Sequence, residues 1–340
     1  MAGPDQLTDI GGSVVFKDLK NEAFVSFDGF NAVTRVGGAI LVTKLRTVTE
    51  FKGFEKLKRI DGAAVGTRAL YFYGLSKVAD YHGSFGELDH VGGPVEFSYA
   101  MQKGGIKGKL FPKLREVLGG LKFDHAFGNA VATAGVYFPE LEIVKGTLKL
   151  DQLEQGSPVE MAGAFPKLKE CQRIDLRSSS FLSTGGAAVF GALKEVGTIY
   201  IYDMDEPNCE AGACLNDLDE WFPLLETVTG ALTIDFASAF TGVVGFKSLK
   251  TVGGSLEISS CSAITEVEFK SLETVGGNLE ITSSPAITKV GFESLKSVES
   301  FIISGSPILA ICRNKYNYWM ETVTKSASDT QILPGTFISC

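Results

Sequence analysis

The chain has 340 residues, 44% hydrophobic and 21% charged, with 39 glycines against 11 prolines and a formal net charge of -8. An acidic chain with no run of Lys or Arg lacks the electrostatic footprint of a nucleic-acid binder or a membrane-surface protein. No apolar stretch reaches the roughly 18–20 residues that a spanning helix needs, and glycine without proline fits regular tight turns better than disordered linkers.

Taken in chain order, one phrase recurs. A truncated form, "LTDIGGSVVF", opens at Leu7. "FNAVTRVGGAILV" follows at Phe30, "FEKLKRIDGAAVG" at Phe54 and "FGELDHVGGPVEFS" at Phe85. Next come "FPKLREVLGGLKFD" at Phe111, "FPELEIVKGTLKLD" at Phe138, "FPKLKECQRIDLR" at Phe165, "FGALKEVGTIYIYD" at Phe190 and "FPLLETVTGALTID" at Phe222. The clearest pair is "SLKTVGGSLEISSCSAITEVEF" from Ser248 and "SLETVGGNLEITSSPAITKVGF" from Ser271; "FESLKSVESFIIS" closes the series at Phe292. About twelve copies of F-x-x-L-x-x-V-x-G-x-L-x-I stand 23 to 32 residues apart. A period of that size predicts a solenoid, because one unit cannot bury its apolar side alone.

Within each copy, G-x-L-x-I alternates with the period of a half-buried strand. Leu256, Ile258, Leu279 and Ile281 are expected to point inward, and Glu257, Ser259, Glu280 and Thr282 outward. The repeated Phe is expected to form an inner stack. The glycine pairs Gly253-Gly254 and Gly276-Gly277 are read as positive-φ positions before the strand. The expected fold is all-β: a single right-handed parallel β-solenoid of about twelve coils over residues 1–310, with a C-terminal helical cap over 311–340. The repeat is expected to stop after Ile308, and a capping helix is expected from Cys312 to Ser326. Its Tyr316, Trp319, Met320 and Val323 fall at helical spacing; an amphipathic partner-binding helix is the alternative.

The phrase "L-x-x-V-G-G-x-L-x-I-x-x-x-x-x-I-T-x-V-x-F", at Leu249–Phe269 and Leu272–Phe292, resembles the receptor L-domain family. That family comprises β-helical repeats of insulin- and EGF-type receptor ectodomains and of fungal sporulation-type wall proteins. The resemblance implies the fold and a general surface or binding role. It does not extend to a kinase, a cysteine-rich module or a transmembrane segment, so a receptor activity is not implied.

Six cysteines permit a disulfide framework. Cys209 with Cys214, in one short loop, and Cys312 with Cys340, bracketing the tail, look the most natural pairs, which leans towards an oxidising compartment. Cys171 reads as a small core residue in a valine position, and Cys261 as the counterpart of Ser284. The opening "MAGPDQLTDIGG" has no charged-then-apolar leader, so either the chain is cytosolic or a leader has been removed. The acidic insertion 203–221 holds seven acidic residues and no basic one. It reads as a solvated loop, with Asp203, Asp205, Asp217 and Asp219 as the oxygen ligands if calcium binds instead. The Lys- and Gly-rich stretch Ser98 to Phe111 reads as a loop insertion, and its "GGIKGK" lacks phosphate-loop spacing.

No catalytic motif is found. His82, His90 and His125 have no metal or nucleophile spacing. On the outward strand columns, Asp124 and Asp151 would be adjacent, which is the one arrangement that could serve a carbohydrate-active β-helix enzyme. The face formed by Asp151, Asp175, Arg177, Tyr200, Tyr202 and Asp235 suits ligand binding better, since aromatics supply contact area at low entropic cost. The expectation is a non-enzymatic binding or adhesion module without a cofactor or metal, extracellular or at the cell surface, or else in an organelle lumen or periplasm. Its ligand would be a protein or a glycan. The alternatives are a rod-like subunit of a larger complex, which the absence of any N-x-[S/T] acceptor slightly favours, and the enzyme.

Overall fold

The computed structural model describes residues 7–18, 28–45, 48, 49, 51, 53–62, 68–75, 77, 78, 83–100, 111–126, 138–153, 159–178, 181, 182, 188–203, 218–237, 242–306, 310–312, 329–332 and 336–338. These form a parallel β-solenoid with almost no helix: among them are one short α-helix, Leu218–Trp221, and one 3-10 turn, Asp28–Phe30. The chain divides into two compact units, Met1–Gln172 with Val189–Ala192, and Arg173–Ala188 with Leu193–Cys340.

In the first unit the strands Val14–Lys17, Ile40–Thr43, Leu70–Leu75, Val95–Ala100, Leu121–Asp124 and Ile143–Asp151 pair in parallel, one rung per coil. Strict alternation puts Ile40, Val42, Leu70, Phe72, Val95, Phe97, Leu121 and Phe123 in the core, each at most 1% exposed. Two-residue strands, Arg35–Val36, Arg59–Ile60, His90–Val91 and Glu116–Val117, run alongside as a second ladder. The expected phenylalanine stack is present. Phe30, Phe54, Phe85, Phe111, Phe138, Phe165 and Phe190 follow one another with ring centroids 5.0–5.8 Å apart. A second stack, Phe72–Phe97–Phe123, lies on the long-sheet side at 4.9 and 5.3 Å. Each such pair adds about 0.5–1.5 kcal/mol beyond area burial.

In the second unit, the strands Thr198–Tyr202, Leu232–Asp235, Leu256–Ser259, Asn278–Thr282, Ser300–Ile303 and Asp329–Ile332 continue from the Arg173 end of Glu170–Arg177 in the same parallel manner. Leu256, Ile258, Leu279 and Ile281 are fully buried, as their spacing predicts. Phe222, Phe246, Phe269 and Phe292 form this unit's stack at 5.6–5.9 Å. A third ladder, Gly242–Gly245, Ile264–Glu268 and Lys289–Gly291, carries the second alternation of the clear copies.

Two expectations are corrected. First, the sheet does not stop after Ile308. Asp329–Ile332 stacks in register on Ser300–Ile303, and Ala310–Cys312 pairs with Thr336–Ile338. A rung needs only an extended backbone beside an open edge, so "DTQI" can supply one without the glycine pair. Cys312, where the capping helix was expected to begin, sits in a strand; residues 313–328 lie outside the described residues. Second, the glycine pairs are not positive-φ positions. Gly253, Gly254, Gly276 and Gly277 are needed because successive coils touch there: a Cβ on Gly276 would lie 2.2 Å from the Gly253 carbonyl oxygen. The left-handed position instead lies at the end of the strand: just past it at Lys44, His125, Asp203, Phe236, Ser260 and Ser283, and within its last two residues at Tyr99, with φ between 48° and 56°. Each coil turns its corner there, and in Lys44, His125, Asp203, Phe236, Ser260 and Ser283 the amide donates to a carbonyl of the next coil. That shared bond offsets the backbone strain.

Candidate functional site

Outward positions on the long sheet are set by the same alternation that builds the core. In the second unit Asp175, Tyr200, Thr233, Glu257 and Glu280 form one column, each in register with the next. Arg177, Tyr202, Asp235, Ser259 and Thr282 form the column beside it. Five of the six residues expected to form the binding face, all but Asp151, are therefore brought together here. Asp175 is the anchor. Its side chain is 6% exposed, and Arg177 donates to it from Nε at 2.5 Å and from the guanidinium terminus at 3.1 Å. Arg173 approaches the Asp175 Oδ2 that the Arg177 terminus also reaches, at 3.5 Å. Both guanidinium groups lie over the Tyr200 ring, Arg177 at 4.8 Å and Arg173 at 5.3 Å from its centroid. Tyr200 stacks on Tyr202 at 5.8 Å, and Tyr202 meets Phe236 edge-on at 5.7 Å. Phe236 is half exposed. Burial against these neighbours pushes the Tyr200 hydroxyl's pKa up.

Beyond Tyr202 the face turns acidic. Asp235 accepts from Ser259 at 2.7 Å, and Glu280 accepts from Asn278 at 2.9 Å. Burial, then the charges of Glu280 and Asp235, raises the Glu257 carboxyl above the ordinary glutamate value.

Asp151 belongs to the first unit, in register with Asp124. The two carboxylates are adjacent as expected, and each is tied to the lysine two residues before it. Lys122 reaches Asp124 at 2.9 Å and Lys149 reaches Asp151 at 2.7 Å. Lys122 also approaches Glu96 at 3.4 Å, while Arg68 holds Glu96 at 2.6 Å. Burial pushes Asp124 up, but hydrogen bonds from Lys122 and His125 outweigh it and hold the carboxyl below its ordinary value.

The first unit also carries an aromatic row that the sequence analysis missed. Arg68 lies 4.0 Å over Tyr71, Tyr71 stacks on Tyr73 at 6.1 Å, Tyr73 meets Tyr99 at 5.9 Å, and Tyr99 stacks on His125 at 4.3 Å. The signal was legible: "LYFYGL", Leu70–Leu75, alternates tyrosine outward with Leu and Phe inward. It was hidden because the rung lies farther from its Phe54 than the other rungs do from theirs. Tyr99 and His125 occupy the left-handed corner, which no strand period reveals. Beside this row Val15, Leu41, Tyr71, Lys17, Arg68 and Glu96 line an open groove of about 890 Å³. Thr43 Oγ1 also borders it, buried and without a hydrogen bond.

The remaining candidates are placed as follows. His90 Nδ1 lies 2.8 Å from Glu116, and its Nε2 is buried without a partner. Cys171 is a buried thiol, as read from the repeat; Cys261, read only as the counterpart of Ser284 at a turn, is buried too, and burial pushes it up to about 11. Cys209, Cys214, Cys340 and the Cys312 side chain lie outside the described residues, as do His82, Asp205 and Asp217. Asp203 accepts from Ser178 and Asp219 pairs with Lys247; among the described residues no group of three His, Cys, Asp or Glu is placed to hold a metal ion. No helix of the described residues is long and apolar enough to cross a membrane.

Comparison with protein-family models, with curated proteins and with solved structures finds no match to this chain.

Proposed function

We propose that the chain is a non-enzymatic binding or adhesion module of the receptor L-domain kind. It works outside the cytosol, at a cell surface or in a lumen, and docks a protein or glycan on the outer face of its long sheet. The finer architecture of this reading is one right-handed coil of about twelve turns, closed by a helical cap beyond Cys312 and by Cys209–Cys214 and Cys312–Cys340 disulfides. The observation that carries the function is the Tyr200–Tyr202–Phe236 row, borne on rigid rungs and held by Arg177 and Asp175. Rings that are half-buried and fixed in place lose little side-chain entropy on binding, and interface energy concentrates in such residues.

The test is a screen of the full chain against immobilised glycans and cell-surface proteins, repeated with Tyr200→Ala/Tyr202→Ala. Binding is expected to fall at least about 30-fold, as for loss of a central aromatic anchor, with an unchanged circular dichroism spectrum. Retained binding by the double variant would overturn the assignment of this face.

A further inference from the structure

Among the described residues the acidic column has no counterpart elsewhere on the long sheet. Glu257 and Glu280 stand directly opposite each other on neighbouring rungs, with Asp235 diagonal to Glu257. Adjacent parallel strands are about 4.8 Å apart, and like charges directly opposed on a sheet are destabilising. The polar partners recorded for these carboxylates are neutral: Ser259 for Asp235 and Glu257, Asn278 for Glu280. No cation forms an ion pair with any of the three among the described residues. The nearby Arg173 and Arg177 are engaged by Asp175. The same sheet pairs Glu96, Asp124, Asp151 and Asp175 with cations and leaves these open.

We infer that Tyr202, Phe236 and the Asp235–Glu257–Glu280 column together receive a lysine- or arginine-bearing segment of a partner protein. The inference rests on the binding face proposed above and names its partner's chemistry. A cationic side chain would relieve the like-charge repulsion, and its aliphatic stem would cover the exposed edge of Phe236. A neutral sugar could cover the ring but would not offset the charge. A bound metal ion fits poorly, since no three acidic groups converge here.

The experiment uses fluorescence anisotropy with the full chain and a labelled short peptide of alternating lysine and threonine. The same peptide with glutamate for lysine is the control probe. Wild type is expected to bind the lysine peptide and not the glutamate one, with affinity falling as salt rises. Glu257→Gln/Glu280→Gln is expected to weaken binding about tenfold. Glu140→Gln/Glu142→Gln removes the same formal charge at ion-paired positions and is expected to change it less than about twofold. Equal weakening by both doubles would mean net charge alone is read, and the inference fails. Failure of the lysine peptide to bind, while the partner found through Tyr200 and Tyr202 still binds, would sink the cationic partner and leave the face standing.

Discussion

The long-sheet faces of the two units follow one aromatic plan and two electrostatic ones. In each, a tyrosine pair two residues apart on one rung meets an aromatic residue at the left-handed corner of the next: Tyr71–Tyr73 with Tyr99, and Tyr200–Tyr202 with Phe236. In each, an arginine lies over the first tyrosine. In the first unit the charges close on themselves, from Arg68 through Glu96 and Lys122 to Asp124. In the second, compensation ends at Asp175, and Asp235, Glu257 and Glu280 are left open. A rung is rigid and cheap to repeat, so the coil fixes where outward side chains stand and leaves their charge free to vary. The arrangement that serves folding is the closed one; the open one is where a ligand is expected.

The backing of the two faces differs as well, and this yields the largest expected effect. Phe97 is fully buried and packs on Phe72, Phe111 and Phe123. Phe97→Ala is expected to cost about 4 kcal/mol, while Ile258→Ala, its counterpart behind the acidic column, is expected to cost about 3 kcal/mol. Urea unfolding of each variant measures this. If Phe97→Ala proves the milder change, stacked rings give the first unit no advantage over branched aliphatics.

How much of this could be read from the sequence follows from what a period encodes. Inward and outward assignments, the phenylalanine stacks and the meeting of Asp175, Arg177, Tyr200, Tyr202 and Asp235 all came from alternation plus one repeat length, since stacking in register converts both into neighbours. The role of the glycine pair did not, because a glycine required by a close coil-to-coil approach looks the same in sequence as one required by positive φ. The corner position escaped for the opposite reason. Lys, His, Asp, Phe and Ser all occupy it, and what they share is a backbone bond to the next coil. The openness of the acidic column was hidden because pairing depends on where Lys122, Lys149 and Arg177 reach, and reach is a property of side-chain conformation.

Neutralising one charge in each unit should act in opposite directions. Lys122→Met keeps the aliphatic stem and removes the ammonium between Glu96 and Asp124. These carboxylates are only partly exposed, at 15% and 20%, so the loss is expected to be about 1 kcal/mol, at the upper end for surface pairs. Thermal or urea unfolding at neutral pH reads it. A neutral result would mean that solvent, and not Lys122, compensates those acids.

Glu257→Gln is the smallest effect and has the opposite sign. Burial and the neighbouring charge of Glu280 raise the folded-state carboxyl above its unfolded value. The native state then holds the proton more tightly than the unfolded chain does. Ionised Glu257 therefore costs stability at all pH above its folded value, and that cost disappears as pH falls towards the ordinary glutamate value of about 4.3. The variant is expected to be more stable than wild type by about 0.3 kcal/mol at neutral pH, a figure kept small by partial exposure. The difference should shrink to nothing on acidification, as wild type takes up the proton. Glu96 and Asp124 behave inversely: hydrogen bonds from Arg68 and Lys122 outweigh their burial and lower both carboxyls. Their stabilisation is present above the ordinary carboxylate range and is lost as pH falls through the folded values. Paired urea titrations stepped from pH 7 down to about pH 3 separate the two cases, since relief of the second unit's open column comes first, near the ordinary glutamate value, and weakening of the first unit's closed lattice follows below the ordinary carboxylate range. Should Glu257→Gln destabilise at neutral pH, the column is satisfied within the fold, and the case for an external cation loses its electrostatic ground.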